Sequence, residues 1–572
     1  MAKPGRVYPQ CEPGAAAAMD RHVSRCPPTR SVAAALEHAR RTGARVLVIG
    51  PRRAVRVDEV ARAAAWGLDH RAVGALAQGA LPELPVDASE VRARRLLMRG
   101  AEMILVRQGG RTVGVIEPEH GMPGWPAFAP RLERQPDRDG EARLWLLRAA
   151  GKLGEGMGAP VYAVGGFVRD LLLGRTAPDV DLVVEGNGVE LARRLAEEIG
   201  GQLLVHPGFG TASLEGATAP DGTRIARVDI ASARRERYAQ PGALPMVTPA
   251  PLPEDLKRRD FAVNAMALTL SPSAFGRVLD PLGGQADLGA RRLRPLSPLS
   301  FVEDPTRILR AARYAARLGF RLDPSGARAL RLALAVPAYP ALSGQRLRAE
   351  LELLAAEPPD RARRGFELML RWGALALWDR AYRARARRGP GRLRAAARLI
   401  AWAQRARIAL DPSEVFLIAL LLDQPREVAS RSLERLAFSG EPLAALRAAV
   451  GAAPLAVRLS RGRRRRPSEV AEMLRPYPVA TLVGAWLHGD ATARRRIQWF
   501  LGEARATRPL LSGEEVVALG VPRGPEVGAC LGALRRLKLD GRVTTASGER
   551  GFVKEWTARR RRERARHKGG TR

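Results

Sequence analysis

The chain has 572 residues, enough for several domains, and its 46% hydrophobic content can fill real cores. Lys and Arg number 95 against 59 Asp and Glu, a formal net charge of +36 that points to a polyanionic partner, most simply nucleic acid. Cys11, Cys26 and Cys530 form neither a metal-ligand spacing nor a disulfide framework, no apolar signal core opens the chain, and the longest apolar run, Val415 to Leu422, is too short to span a bilayer; the expectation is a cytoplasmic protein without membrane contact.

Residues 1–30, rich in Pro, Gly and Ala, read as a poorly structured leader. An internal repeat follows: Arg41-Thr-Gly-Ala-Arg-Val-Leu-Val-Ile49 recurs in character as Met98-Arg-Gly-Ala-Glu-Met-Ile-Leu-Val106, each copy after a helical pattern and before a turn and second strand. The pair resembles a cystathionine-beta-synthase-type (CBS) domain pair over residues 31–118, a module whose cleft in other proteins often binds adenine nucleotides. The second strands, Ala54 to Val60 and Thr112 to Pro118, lack the Ser/Thr and Asp of the ribose position, so an adenine nucleotide and a purely packing or dimerising role both stay open. The oligomeric state is likewise open, with a homodimer among the readings. Residues 119–150, punctuated by Met122-Pro-Gly-Trp-Pro-Ala-Phe-Ala-Pro130, suit a linker.

Val161 to Val164 then reads as a strand ended by Gly165-Gly166, with a helix from Phe167 closed by Gly174. Glycines at such a turn let the backbone approach a phosphate, and the following helix start offers free N–H groups to an anion. After Pro178, Asp179 to Val184 alternates as a strand, placing Asp179 and Asp181 on one face and Val180, Leu182 and Val184 on the other. Two such carboxylates fit oxygen-ligated divalent cations, most simply Mg²⁺, although a solvated strand end would also carry them. Asp229, in Ile225-Ala-Arg-Val-Asp-Ile230, is a candidate third acid or an ordinary surface residue, and residues 234–245 read as a mobile loop.

Leu256-Lys-Arg-Arg-Asp-Phe-Ala-Val-Asn-Ala-Met-Ala267 sets two guanidinium groups, a carboxylate and an amide around an apolar core. Guanidinium suits triphosphate oxygens, whereas Asp and Asn suit ribose hydroxyls. In Phe301-Val-Glu-Asp-Pro-Thr-Arg-Ile-Leu-Arg-Ala-Ala-Arg-Tyr314, Asp304 reads as a helix N-cap with Pro305 at the first helical position, and Arg307, Arg310 and Arg313 recur at every third residue. An acceptor on Asp304 beside a donor on Arg307 matches the exocyclic amine and ring-nitrogen acceptor that cytosine and adenine share, and opposes the reversed polarity of uracil and guanine. A capped helix with a solvated arginine face is the other reading. From about residue 320 the pattern is helical, and the basic runs Arg461 to Arg466 and Arg559 to Lys568 are phosphate contacts or solvated surface.

In this order the motifs resemble the class II bacterial tRNA nucleotidyltransferase and poly(A) polymerase family: Gly165-Gly166-x-x-Arg169-Asp170, Asp179-x-Asp181, Arg258-Arg259-Asp260-Phe261-x-x-Asn264-Ala265, Asp280-Pro-x-Gly-Gly284 with Asp287-Leu288, and Glu303-Asp304-x-x-Arg307-x-x-Arg310. Ala262 stands where the family usually has Thr. The resemblance implies a multidomain α+β chain: the CBS-type pair, a polymerase-beta-like head over 151–290, a helical neck over 291–345, a helical RNA-binding body and tail over 346–510, and a helical segment with a basic tail over 511–572. It implies that Asp179 and Asp181 hold the metals, that Gly165, Gly166, Arg169 and Arg259 bind the triphosphate, and that Asp260 and Asn264 lie near the ribose. Asp304 and Arg307 would read the base, supported by Arg310 and Arg313. The implied activity is addition of C and/or A from CTP or ATP to the 3′ acceptor end of tRNA, with poly(A) tailing, or an inactive RNA-binding or nucleotide-sensing protein, as alternatives.

Overall fold

In the computed structural model, residues 18–98, 101–117, 138–175, 179–206, 208, 210–383, 389–461 and 465–569 are described. The chain divides into two compact units, Met1–Leu347 and Arg348–Arg572.

The repeat in the first unit folds as two copies of one pattern. Val23–Arg25 pairs in parallel with Val46–Gly50, which pairs antiparallel with Arg53–Arg56; Glu83–Pro85, Ile104–Gln108 and Arg111–Ile116 repeat that order and sense. Helices Val32–Thr42 and Glu90–Met98 precede the central strands. Val46 and Ala54 of the first copy pack with Leu105 and Val115 of the second, so neither copy closes its core alone. The expected leader differs from this: Val23–Arg25 is a strand, and the Asp20 N–H and C=O both bond to Val115. Backbone pairing with a sheet edge compensates for a composition that favours disorder. The remainder of the leader, residues 1–17, lies outside the described residues.

Glu59, on helix Val57–Ala63, is 3% exposed, and its Oε2 has no hydrogen-bond partner among the described residues. Burial pushes its carboxyl from 4.5 up to about 7; Arg56 and Arg62 oppose the rise, while Asp58 and Glu102 add to it. The folded state thus holds this proton more tightly than the unfolded chain, so the contribution favours folding below pH 4.5 and is lost as the pH rises to about 7. Glu59→Gln is expected to stabilise the chain by up to about 3 kcal/mol above neutrality and much less near pH 5, read by melting curves across that range.

The head is built on one seven-stranded mixed sheet. Its order is Val278–Leu279, Ala267–Thr269, Val161–Val164, Asp179–Val184, Arg224–Ser232, Thr211–Thr218 and Gln202–His206, antiparallel throughout except that Asp179–Val184 and Arg224–Ser232 run parallel. Helix Gly188–Ile199 packs against this sheet through Leu191, Ala192, Leu195 and Ile199. Helix Arg138–Gly156 occupies part of the stretch expected to be linker. It buries Leu146, Leu147 and Ala150, and at Gly151 it comes so close to the sheet that a Cβ would lie 1.9 Å from the Leu270 carbonyl oxygen. A helix that lends a face to a sheet core is stabilised by packing rather than by propensity. Residues 118–137, including the Pro/Gly-rich run, lie outside the described residues.

The neck continues the first unit with Ser300–Glu303, Thr306–Leu318 and Pro324–Ala335. The second unit contains helices and no strand among its described residues, in keeping with the expected helical body. Phe366 and Phe416 stack in its core at 4.7 Å. Leu511, Val516, Cys530, Leu534 and Val553 form a separate cluster near its end. No single helix among the described residues is long and apolar enough to cross a membrane. Residues 462–464, within the basic run, lie outside the described residues.

Candidate active site

Strand Val161–Val164 ends in the expected glycine turn. Gly165 has φ +70°, a left-handed conformation that a side chain would strain, and opens helix Gly165–Leu172. A Cβ built on it would lie 3.0 Å from Asp181 Oδ2 and 3.2 Å from Arg259 Nη1. Three motifs far apart in sequence thus meet at one backbone atom.

Asp179 and Asp181 sit at the start of their strand, the first exposed and the second half-buried, with Val180 and Leu182 turned into the core. The parallel register sets Asp181 beside Asp229 and Asp179 beside Arg227, so the three acids share a face. Asp229 accepts from Ser213 Oγ at 2.6 Å and from Arg227 Nε at 3.0 Å. Burial raises the Asp181 carboxyl above its ordinary range; Arg259 opposes this, Asp229 and Asp179 reinforce it, and Arg169 opposes it more weakly. A divalent cation would relieve that crowding of acceptors, so this donor set fits one. Among the described residues, no group of three or more ligands is already drawn together in metal geometry.

Arg258 and Arg259 follow a helix, Leu252–Lys257, that carries Asp255 one turn earlier. Asp255 is fully buried and accepts from Arg258 Nη2 at 2.7 Å and Arg259 Nη2 at 2.8 Å. Burial acts to raise its carboxyl, but the Arg259 and Arg258 guanidiniums outweigh this and hold it below the usual carboxylate range. Asp255 therefore fixes the direction of both arginines. The sequence reading missed it, although an acid three and four residues ahead of two arginines on a helix is a legible signal.

Asp260 and Asn264 do not face open space here. Asp260 accepts from the Phe261 N–H at 2.8 Å, Asn264 Nδ2 at 2.9 Å and Arg310 Nε at 2.9 Å. Asn264 Oδ1 in turn accepts from Arg169 Nη1 at 2.7 Å, and Arg169, 2% exposed, closes a two-pronged pair on Asp170. Arg169, expected at the triphosphate, thus braces the glycine turn against the neck in this conformation, and a Cβ on Gly166 would lie 3.4 Å from its Nη2. Arg169, Arg310 and Arg313 all lie over the Tyr314 ring, at 5.2, 5.5 and 4.9 Å from its centroid. Arg310 and Arg313 reach Tyr314 from its own helix, whereas Arg169 reaches it only through tertiary placement, which motif reading could not supply.

Asp304 caps the neck helix as expected, within one residue of the assigned start: its Oδ1 accepts from the Thr306 N–H at 3.1 Å and Oγ1 at 2.7 Å, and pairs with Arg346 at 2.9 Å. Arg307 is 7% exposed and donates to Ser300 Oγ at 2.8 Å, the Arg258 carbonyl at 2.9 Å and Tyr238 Oη at 3.2 Å. Both members of the expected base-reading pair therefore hold internal partners. The stretch expected as a mobile loop is a hairpin, Arg234–Arg237 against Met246–Pro249. It is fastened by Glu236, which accepts from Arg258 at 2.7 Å, and by the Gly242 N–H, which donates to the Glu303 carbonyl at 3.0 Å. A cavity of about 650 Å³ opens beside it, with Arg62, Tyr238, Arg258, Arg259, Glu303 and Arg307 on its walls.

The glycine turn, the adjacent strand acids and the arginine pair lie together on one mixed sheet, and residues 161–294 match the family model described as the Poly A polymerase head domain. The chain is 35% identical over 414 residues to a CC-adding tRNA nucleotidyltransferase of Deinococcus radiodurans, covering 71% of this chain and 92% of that protein. It is 34% identical over 417 residues to an A-adding tRNA nucleotidyltransferase of Geobacter sulfurreducens, covering 71% of this chain but only 46% of that one, so it spans about half of that longer relative. A Thermotoga maritima CCA-adding enzyme complexed with tRNA superposes with a TM-score of 0.59 at 28% identity, over 76% of this chain and 99% of that one. The chain belongs to the tRNA nucleotidyltransferase and poly(A) polymerase family.

Proposed function

We propose that this protein is a template-independent nucleotidyltransferase that adds C and/or A, from CTP or ATP, to the 3′ end of tRNA. The observation that carries the reading is the convergence of Gly165, Asp181 and Arg259 on one point of the head sheet. The RNA 3′-hydroxyl would attack the α-phosphate and release pyrophosphate. Asp179 and Asp181 would hold divalent ions, most simply Mg²⁺, whose chemistry is activation of the hydroxyl and neutralisation of the leaving pyrophosphate. Arg259, aimed by Asp255, would meet the triphosphate, and the bare backbone at Gly165 and Gly166 would let phosphate oxygens approach. Asp304 and Arg307 would select the base once the Tyr238 hairpin exchanges its hydrogen bond for one to the nucleotide, and Asp260, Asn264, Arg310 and Arg313 would keep head and neck in register near the sugar. Catalysis then consists mainly of positioning and charge neutralisation.

The arginine-rich helical unit would hold the RNA, which suits the net charge of +36. We read the N-terminal pair as CBS-type, supported by its duplicated strand order and shared core. The test is incubation with tRNA transcripts ending before CCA, after C and after CC, and with an unrelated RNA, supplying CTP and ATP separately. Extension confined to tRNA ends is expected; long A tails on any RNA would favour poly(A) polymerase instead.

A further inference from the structure

We infer that the N-terminal pair positions the base-selecting segment of the neck through Arg62, an inference that rests on the function proposed above. Arg62 Nη1 donates to Glu303 Oε1 at 2.5 Å, across 241 residues of chain. Glu303 is the node of the base-selecting segment. It immediately precedes Asp304, its carboxylate stands 4.0 Å from Arg307, and its carbonyl accepts the Gly242 N–H of the hairpin whose Tyr238 bonds Arg307. Its side chain is 11% exposed, so it requires a cationic partner, and among the described residues the guanidiniums of Arg62 and Arg307 meet it.

While Arg62 holds Glu303, Arg307 keeps its bonds to Ser300, Tyr238 and the Arg258 carbonyl. Without Arg62, the carboxylate is free to turn onto Arg307 and pull that guanidinium from the place where it meets a base. A second link, Glu102 to Arg294, lies on the same seam and keeps the pair seated against the neck when Arg62 is changed. Arg62 is 39% exposed on a helix surface, so its loss leaves the core of the pair intact. It is a positioning residue that acts through Glu303.

The experiment is a double-mutant cycle on the full chain with Arg62→Ala, Arg62→Lys, Glu303→Gln and the Arg62→Ala/Glu303→Gln pair. Melting is followed for each, KM and kcat for ATP and CTP are measured, and nucleotide binding is measured separately at equilibrium. Arg62→Ala is expected to raise nucleotide KM by about 5- to 10-fold and shift the ATP-to-CTP ratio with little change in kcat; Arg62→Lys restores most of it, and the Glu303→Gln background removes the effect. Unchanged KM and ratio in Arg62→Ala, or an undiminished effect in the Glu303→Gln background, overturns the inference while leaving the function standing. A parent protein that neither binds nor incorporates either nucleotide overturns both.

Discussion

Asp181→Ala, alone or with Asp179→Ala, is expected to lower nucleotide incorporation by at least about a thousandfold, which is roughly 4 kcal/mol of transition-state stabilisation. The same change is expected to leave the melting temperature unaltered or slightly raised. Burial, Asp229 and Asp179 all disfavour the charge on Asp181, so the folded protein carries it at a cost. A carboxyl raised in this way favours folding when protonated and loses that contribution as the pH rises through its folded pKa, so above that range its removal relieves the protein. Arg259 keeps its pairing with Asp255 in the variant. A residue that destabilises the fold yet is required for turnover has a chemical role; incorporation assays beside thermal melts at neutral pH separate the two readouts, and retained activity would remove Asp181 from the site.

The largest loss of stability is expected from Asp255→Ala, about 3–5 kcal/mol, because it removes the carboxylate that Arg259 pairs with and leaves Arg258 to Glu236 alone, both guanidiniums being only 16% and 17% exposed. The carboxyl is held below its usual range, so its contribution is present above pH 3.8 and is lost as the pH falls through the lower folded value. Denaturant unfolding at pH 7 should therefore show the full gap between parent and variant, and the gap should close in acid. Activity should fall as well, since Arg259 loses the partner that aims it toward Asp181. A variant as stable as the parent at pH 7 would contradict the role given to Asp255.

The chemistry-bearing motifs were legible because each is a local pattern. Gly165 at a strand end, Asp179 and Asp181 two apart on a strand, and Asp304 ahead of Pro305 all follow from backbone periodicity and capping, and the fold supports those local elements. The duplicated N-terminal copies were legible from self-similarity alone. What could not be read was how the motifs interlock. Arg169 turning inward to Asn264 and lying over Tyr314, and Arg307 held by the hairpin, depend on packing among segments separated by many residues. Helix Arg138–Gly156 was hidden by the proline-rich run before it, and residues 18–30 by a composition that a sheet edge overrides. Gly165 is also the point at which Asp181 and Arg259 come together.

The central claim is that the head transfers a nucleotide onto an RNA 3′-hydroxyl. Its most direct test supplies the protein with ATP and CTP and two otherwise identical tRNAs, one ending in a normal ribose and one in a 3′-deoxyribose. The account requires one pyrophosphate released per nucleotide added to the normal end and none with the 3′-deoxy end. Pyrophosphate release that ignores the terminal hydroxyl, or incorporation into neither RNA, would contradict it.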